Sequence, residues 1–306
     1  MKYAIISDIH GNYHAFMAVL ADAKAQGADM YLLLGDYTYP PYSNEVAGAI
    51  RGLKDAIVIQ GNGDERYKTL IGRDPLEFTH EQFMLVYWCY QSLSCENLEY
   101  LVNLPETAVV NDGGTEIFLA HALDLFFRSP RLRHFHSWHV RTMMEDTPFT
   151  HEQYLARAEE ELLARPGAAR EILAMPKGVY LFGHNHLQFY MEYDGRLFIN
   201  PGSCGEPLDW DTRAPYTMLK VDGPKWVVEE RRVAYDLSPA LEGLKTSGFH
   251  AHAPVWSDVM EKCLMTGKDY FSPFVMHIQE TARKMGETNS PVSNGAWEEA
   301  VKTWGM

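Results

Sequence analysis

A chain of 306 residues, 46% hydrophobic and 22% charged, has length for a large core and a smaller appended unit. Its 27 Lys and Arg against 41 Asp and Glu give a formal net charge of −14. That balance argues against a nucleic-acid polymer as partner, which needs clustered cations, but leaves open a small phosphate-bearing substrate, because bound metals invert the local field. The four cysteines (Cys89, Cys95, Cys204, Cys263) contain no Cys-x-x-Cys pair and suit a reducing compartment. The apolar run after Lys2 is too short for a leader and meets Asp8 at once, and the densest apolar stretch, Phe83–Tyr90, is far below membrane-spanning length. A cytoplasmic protein with no membrane partner is expected.

In chain order, Lys2–Ile6 reads as a strand that runs into Ser7-Asp8-Ile9-His10. An extended backbone would point residues 8 and 10 to one side, aiming a carboxylate and an imidazole at a common point. Asn12–Gln26 has its apolar residues at helical spacing, with Gly27 as the stop. Met30–Leu34 is a second apolar run, ending on Gly35-Asp36; Ser43–Lys54 reads as a helix; Ala56–Gln60 is a third run, ending on Gly61-Asn62. Continuous apolar strands separated by helices imply βαβ crossovers and a sheet covered on both faces, where ligands collect at the carboxyl ends of the strands.

Two helices follow, Thr79–Ser92, with Thr79 and Gln82 as a capping box, and Ser94–Leu104. Glu116–Ala120 runs into His121, and Gly178–Phe182 into Gly183-His184-Asn185-His186. Hairpins are expected around Asp194-Gly195 and Asp222-Gly223. From Asp236 onward the texture is short helical patches with Trp256, Trp297 and Trp304, expected to be packing anchors or a homo-oligomer contact.

The strand-end residues Asp8, His10, Asp36, Asn62, His121, His184 and His186 are two carboxylates, one amide and four imidazoles. That is too many for one tetrahedral zinc and suits two divalent metals about 3.5–4 Å apart sharing a carboxylate. Oxygen and nitrogen donors without thiolate favour Mn, Fe, Zn, Co or Ni over Ca or Mg. A lone strand-end His or Asp is more often a cap or a satisfied polar group; five such endings in one parallel-sheet pattern are not independent accidents.

In their order, Asp8-x-His10, Gly35-Asp36, Gly61-Asn62, His121 and Gly183-His184-x-His186 resemble the calcineurin-like metallophosphoesterases over about residues 1–235. Asp8-Ile9-His10-Gly11-Asn12 and Asn200-Pro201-Gly202-Ser203 resemble the compact bacterial, phosphodiesterase-type branch. The resemblance implies an α/β (α+β) fold, a four-layer αββα sandwich of two mixed β-sheets flanked by helices, here with a helical C-terminal appendage, 236–306. It also implies Asp8, His10 and His186 on one metal, Asn62, His121 and His184 on the other, and Asp36 bridging. Asp36, Asn62 and His121 would act catalytically through the metals, holding a hydroxide for attack on a small phosphate ester.

The chain departs from the family at Gly63, where many members have a His that protonates the leaving group, and at Tyr39, where the Asp that orients this His is usual. Loss of both fits a leaving group that needs little help, or a proton from elsewhere. A helical insertion at about 122–176 is Arg- and His-rich: Arg128, Arg131, Arg133 and Arg141 suit phosphate oxygens, and His134, His136 or His139 could serve as general acid. Solvated arginines paired with Glu145 and Asp146 are the plainer alternative. Asn12 either faces the substrate or caps its helix, and Asp64 and Glu65 either orient Asn62 or begin a helix. A phosphodiester or nucleotide-type substrate is expected, with the insertion and part of the appendage walling the cleft. The alternatives are a metal-binding scaffold without chemistry, a phosphomonoesterase or protein phosphatase, and a nuclease, which the charge disfavours.

Overall fold

The structure, a computed structural model, describes residues 1–128, 148, 150, 152–153, 155–156 and 167–305. The expected strand and helix alternation opens the chain: β1 (Lys2–Ile6), α1 (Tyr13–Ala25), β2 (Met30–Leu33), α2 (Ser43–Arg51) and β3 (Ala56–Val58). Here β1, β2 and β3 are parallel neighbours. Two helices, Glu81–Ser92 and Cys95–Val102, lead to β4 (Thr107–Asp112) and β5 (Thr115–Ala120). Then come β6 (Gly178–Leu181) and two hairpins, β7 (Gln188–Tyr193) with β8 (Arg196–Pro201) and β9 (Ala214–Asp222) with β10 (Lys225–Val233).

These strands form two mixed five-stranded sheets flanked by helices, in the orders β10-β9-β1-β2-β3 and β4-β5-β6-β8-β7. The period-two alternation of β1 shows how they stack. Tyr3 and Ile5 point into a core shared with Leu119, Leu181 and Ile199 of the opposite sheet, while Ala4 and Ile6 point to the helical side with Phe16 and Val19. Gln188 of β7 donates to the carbonyls of Tyr216 and Arg231 and accepts from Arg232, so side-chain hydrogen bonds also tie the sheets together.

Several expectations need correction. The strand β4 is not visible as an apolar run, because it is an edge strand whose residues are alternately exposed and half-buried. The helix expected to begin at Thr79 begins at Glu81, and His80 Nδ1, not the Thr79 capping box, accepts from the Gln82 amide. The helix expected to reach Lys54 ends at Arg51, with Gly52 as its cap. Asp194 and Gly195 take left-handed φ of 47° and 72°, the turn a two-residue hairpin needs.

After β10 the chain is helical: Ser238–Thr246, Phe249–His252, Pro254–Thr266, Phe271–Lys284 and Asn294–Thr303. Trp256 packs on Phe271, Phe274 and Trp297, with ring centroids 5.1–5.3 Å apart, and Trp304 closes on Phe274. The tryptophans therefore anchor this packing.

Candidate metal centre and its cleft

The strand ends converge through the backbone beyond them. Asp8 and His10 lie past the end of β1 in left-handed conformations, φ 50° and 45°, so their convergence does not come from extended geometry. Asp36, His184 and His186 share that conformation, with φ 53°, 73° and 59°. Residues other than glycine adopt it at a cost, and its repetition at five of the seven expected ligands marks a site held by its surroundings. Those surroundings are specific. The amide of Asp8 donates to the Gly35 carbonyl and that of His10 to the Asp36 carbonyl, lacing the β1 and β2 turns together. Asp64 is fully buried and accepts from the amides of Asp36, Tyr37 and Gly61, fixing the turn after β2 to the turn after β3. Asp64 thus orients the Asp36 loop, a role that goes beyond starting a helix. Gly183 is required by close approach: a Cβ there would lie 1.9 Å from Ser7 Oγ and 2.4 Å from Asp8 Oδ2.

Two groups of three donors result, Asp8 with His10 and His186, and Asp36 with His121 and His184. In the first, His10 Nε2 and His186 Nε2 face each other at 3.0 Å, and both point at Asp8 Oδ1, at 3.7 and 3.5 Å. In the second, His121 Nε2 lies 3.5 Å from Asp36 Oδ2, 3.2 Å from His184 Nδ1 and 3.0 Å from Asn62 Oδ1. The structure therefore brings all seven expected residues together.

Hydrogen bonds from behind aim the rings. His121 Nδ1 donates to the Leu34 carbonyl (2.8 Å) and His186 Nδ1 to the Glu206 carbonyl (2.9 Å), which turns each Nε2 into the cluster. Asp8 Oδ2 accepts from the His184 amide, while Asp8 Oδ1 is buried without a hydrogen-bond partner among the described residues. A buried carboxylate oxygen facing two imidazole nitrogens fits a divalent cation, and the lack of thiolate fits the harder transition metals.

The electrostatics are those of tightly packed acids and bases. Burial works to raise Asp8, but the facing imidazoles outweigh it and hold the carboxyl at about 2; Asp36 is likewise held far below the usual range. Burial works to lower His121, but Asp36 outweighs it and lifts the ring to about 10, whereas at His186 burial prevails and lowers it to about 4.

One cavity of about 260 Å³ opens on the cluster, lined by His10, Asp36, His184 and His186 and by Tyr39, Arg66, Glu206 and Leu208. Asp269, Phe271 and Ser272 from the C-terminal segment complete it, as expected of the appendage. A second cavity of about 490 Å³ shares Asn62, Arg66 and His184 with the first and is lined further by His121 and by Ala122, Asp124 and Leu125 at the root of the insertion. Tyr39 lays its ring over His10, with centroids 4.3 Å apart. Gly63 donates its amide to Asp36 Oδ1 at 2.7 Å, and a Cβ there would crowd that oxygen at 3.1 Å, so both departures from the family pattern lie against the cluster.

Other expected substrate contacts fall elsewhere. Asn12 Oδ1 caps α1 at the Ala15 amide, and its Nδ2 donates to the Gly205 carbonyl and the Tyr235 hydroxyl, so its side chain is spent on the fold. Arg128 lines a separate cavity with Phe118, Phe126 and Tyr180. Arg131, Arg133, His134, His136, His139 and Arg141 lie outside the described residues. Sequence reasoning missed Arg66, although its i, i+4 spacing from Asn62 was a usable signal. It also missed Glu206, whose carboxyl burial pushes up to about 7, and Asp269 and Phe271, for which no local signal exists.

Sheets, strand-end donors and cleft together define a metal-dependent phosphoesterase. Residues 1–223 match the calcineurin-like phosphoesterase superfamily domain, and the chain belongs to that family of hydrolases acting on phosphoester bonds. It is 27% identical over 256 residues to the uncharacterized protein MJ0912 of Methanocaldococcus jannaschii, a match covering 78% of this chain and 90% of that one. Its fold is similar to a metallophosphoesterase from Sphaerobacter thermophilus, with TM-score 0.60, 25% identity, and 87% and 100% of the two chains covered. A hypothetical protein, PH1004, from Pyrococcus horikoshii OT3 shares the fold at TM-score 0.60 and 20% identity, over 88% and 99%. Among the described residues no helix is long and apolar enough to cross a membrane.

Proposed function

We propose that the chain hydrolyses a small phosphodiester with the help of two divalent transition-metal ions, manganese among the ions that suit the donor set. Asp8, His10 and His186 would hold one ion, Asn62, His121 and His184 the other, with Asp36 between them. Bound there, the pair supplies an activated water for attack on phosphorus and neutralises the phosphoryl oxygens. The chain's own residues do the positioning. Backbone carbonyls behind His121 and His186 fix the rings, Asp64 fixes the Asp36 turn, and Arg66 offers a guanidinium to phosphoryl oxygens.

The observation that carries the diester reading is that two cavities meet at Asn62, Arg66 and His184. A diester has two substituents on phosphorus and a monoester one, so a site opening both ways suits the diester. The half-buried glycine at 63 supports a substrate whose leaving group needs no protonating histidine from that position. On this reading residues 1–235 are the catalytic domain and 236–306 an appendage that completes its cleft. The free cysteines among the described residues support a cytoplasmic setting.

Manganese-loaded protein is expected to cleave bis-p-nitrophenyl phosphate at least as well as p-nitrophenyl phosphate. Asp36→Asn should lower turnover by about a thousandfold or more while leaving far-UV circular dichroism intact. A clear monoester preference would overturn the diester reading, and no turnover of either ester would overturn hydrolysis.

A further inference from the structure

The cavity wall contributed by the C-terminal helices holds a buried carboxylate, one oxygen of which has no hydrogen-bond partner among the described residues. Asp269 is fully buried and lines the metal cleft. Its Oδ1 accepts from the Ser272 amide at 2.8 Å, at the start of the helix Phe271–Lys284, whereas its Oδ2 has no hydrogen-bond partner among the described residues. An unpartnered buried carboxylate oxygen costs stability and calls for a donor from outside. Phe271, two residues on, lines the same cavity; its ring is backed by Trp256 (5.1 Å, 25° between planes) and faces Tyr39 (6.5 Å, 29°).

We propose that Asp269 and Phe271 form a subsite for one ester arm of the substrate, and that this arm is a small aliphatic group bearing vicinal hydroxyls. The inference rests on the diester reading of the metal site. A hydroxyl supplies the donor that Asp269 Oδ2 lacks, and the C–H face of a polyol packs on Phe271. An ammonium group would also satisfy a carboxylate, but here it would share a cavity of about 260 Å³ with the two divalent cations of that reading and be repelled by them. The same volume must also hold the phosphoryl group, which favours a short arm over a whole nucleoside. The arm on the other side of phosphorus enters the larger cavity beyond Arg66.

The test uses the manganese-loaded protein and two diesters with the same carbon skeleton, 2,3-dihydroxypropyl p-nitrophenyl phosphate and propyl p-nitrophenyl phosphate. The dihydroxypropyl ester should have the higher kcat/KM, by about tenfold or more, because a site built for hydroxyls rejects the analogue without them. Asp269→Asn keeps the Oδ1 acceptor that starts the helix and should cut that ratio at least about fivefold; Phe271→Leu keeps the apolar packing and should cut it less. Calorimetric binding of the two product monoesters, 2,3-dihydroxypropyl and propyl phosphate, should show the same order on the wild-type protein. Equal kcat/KM and equal binding for the two alkyl groups would overturn the subsite while leaving the diester reading standing. A preference that survives Asp269→Asn in folded protein would also overturn it. Failure to cleave either diester would instead strike the reading on which it rests.

Discussion

The cleft has two kinds of wall, and they differ in how the chain makes them. On one side the donors follow directly on strands: Asp8 and His10 after β1, Asp36 after β2, Asn62 after β3, His121 after β5, His184 and His186 after β6. On the other side Asp269 and Phe271 arrive from a helical segment more than 80 residues beyond the last of those donors, stacked on Trp256. The first wall is a product of sheet topology, since parallel neighbours put their carboxyl ends side by side. The second is a product of tertiary packing, and it supplies none of the grouped metal donors.

This difference explains how much could be read in advance. A donor placed straight after an apolar run is visible locally, and seven such placements made the cluster and the family legible together. The conformation was not. The alternation rule for Asp8 and His10 pointed to the right meeting place for the wrong reason, because both residues leave the strand in left-handed turns held by Gly35 and Asp36 carbonyls. Asp64 was half-legible: its position beside Asn62 showed, but the three amides it accepts come partly from the β2 turn, some 28 residues away. Asp269 carries no sequence signal, since a carboxylate before a helix normally reads as a solvated cap. Edge strand β4 escaped for a related reason, its burial being shared with a partner strand rather than written into its own composition.

Asp64 gives the largest way to sharpen the contrast after loss of Asp36 itself. Removing it leaves every donor in place but frees the Asp36, Tyr37 and Gly61 amides from their common acceptor. Asp64→Ala should lower metal affinity or turnover by about 10- to 100-fold, the range for groups that orient ligands from behind. Titration with manganese, read by calorimetry, checks it. An unchanged affinity together with unchanged turnover would mean that the turns hold their shape without it.

Acidity offers a smaller, graded test. Carboxylate neighbours raise both His10 and His121, His121 to about 10, so in the metal-free protein His121 holds a proton at neutral pH that an incoming cation must displace. His186, lowered to about 4 by burial, is already neutral there. Affinity should therefore rise with pH between about 5 and 9, by about tenfold per pH unit for each proton released. A flat response would show that the imidazoles are already deprotonated, which would separate the binding groups from the acids that surround them.

The smallest effect asks whether the two walls move as one. Cys204 is buried beside the cluster, where its amide donates to the Ser7 carbonyl, and Cys263 is buried in the helix Pro254–Thr266, where its Sγ accepts from the Tyr270 amide. Burial raises both thiols well above their ordinary value, so each reacts with a thiol reagent only when its surroundings open, whereas Cys95 is exposed and should react at once. If the C-terminal helices open apart from the sandwich, Cys263 will be labelled faster than Cys204. Manganese at about a hundred times its dissociation constant should then protect Cys204 by about 2.7 kcal/mol and Cys263 by much less. Equal labelling with equal protection would make the two walls one cooperative unit. The subsite at Asp269 would then be as rigid as the metal cluster, and the contrast drawn from how they are built would not extend to how they move.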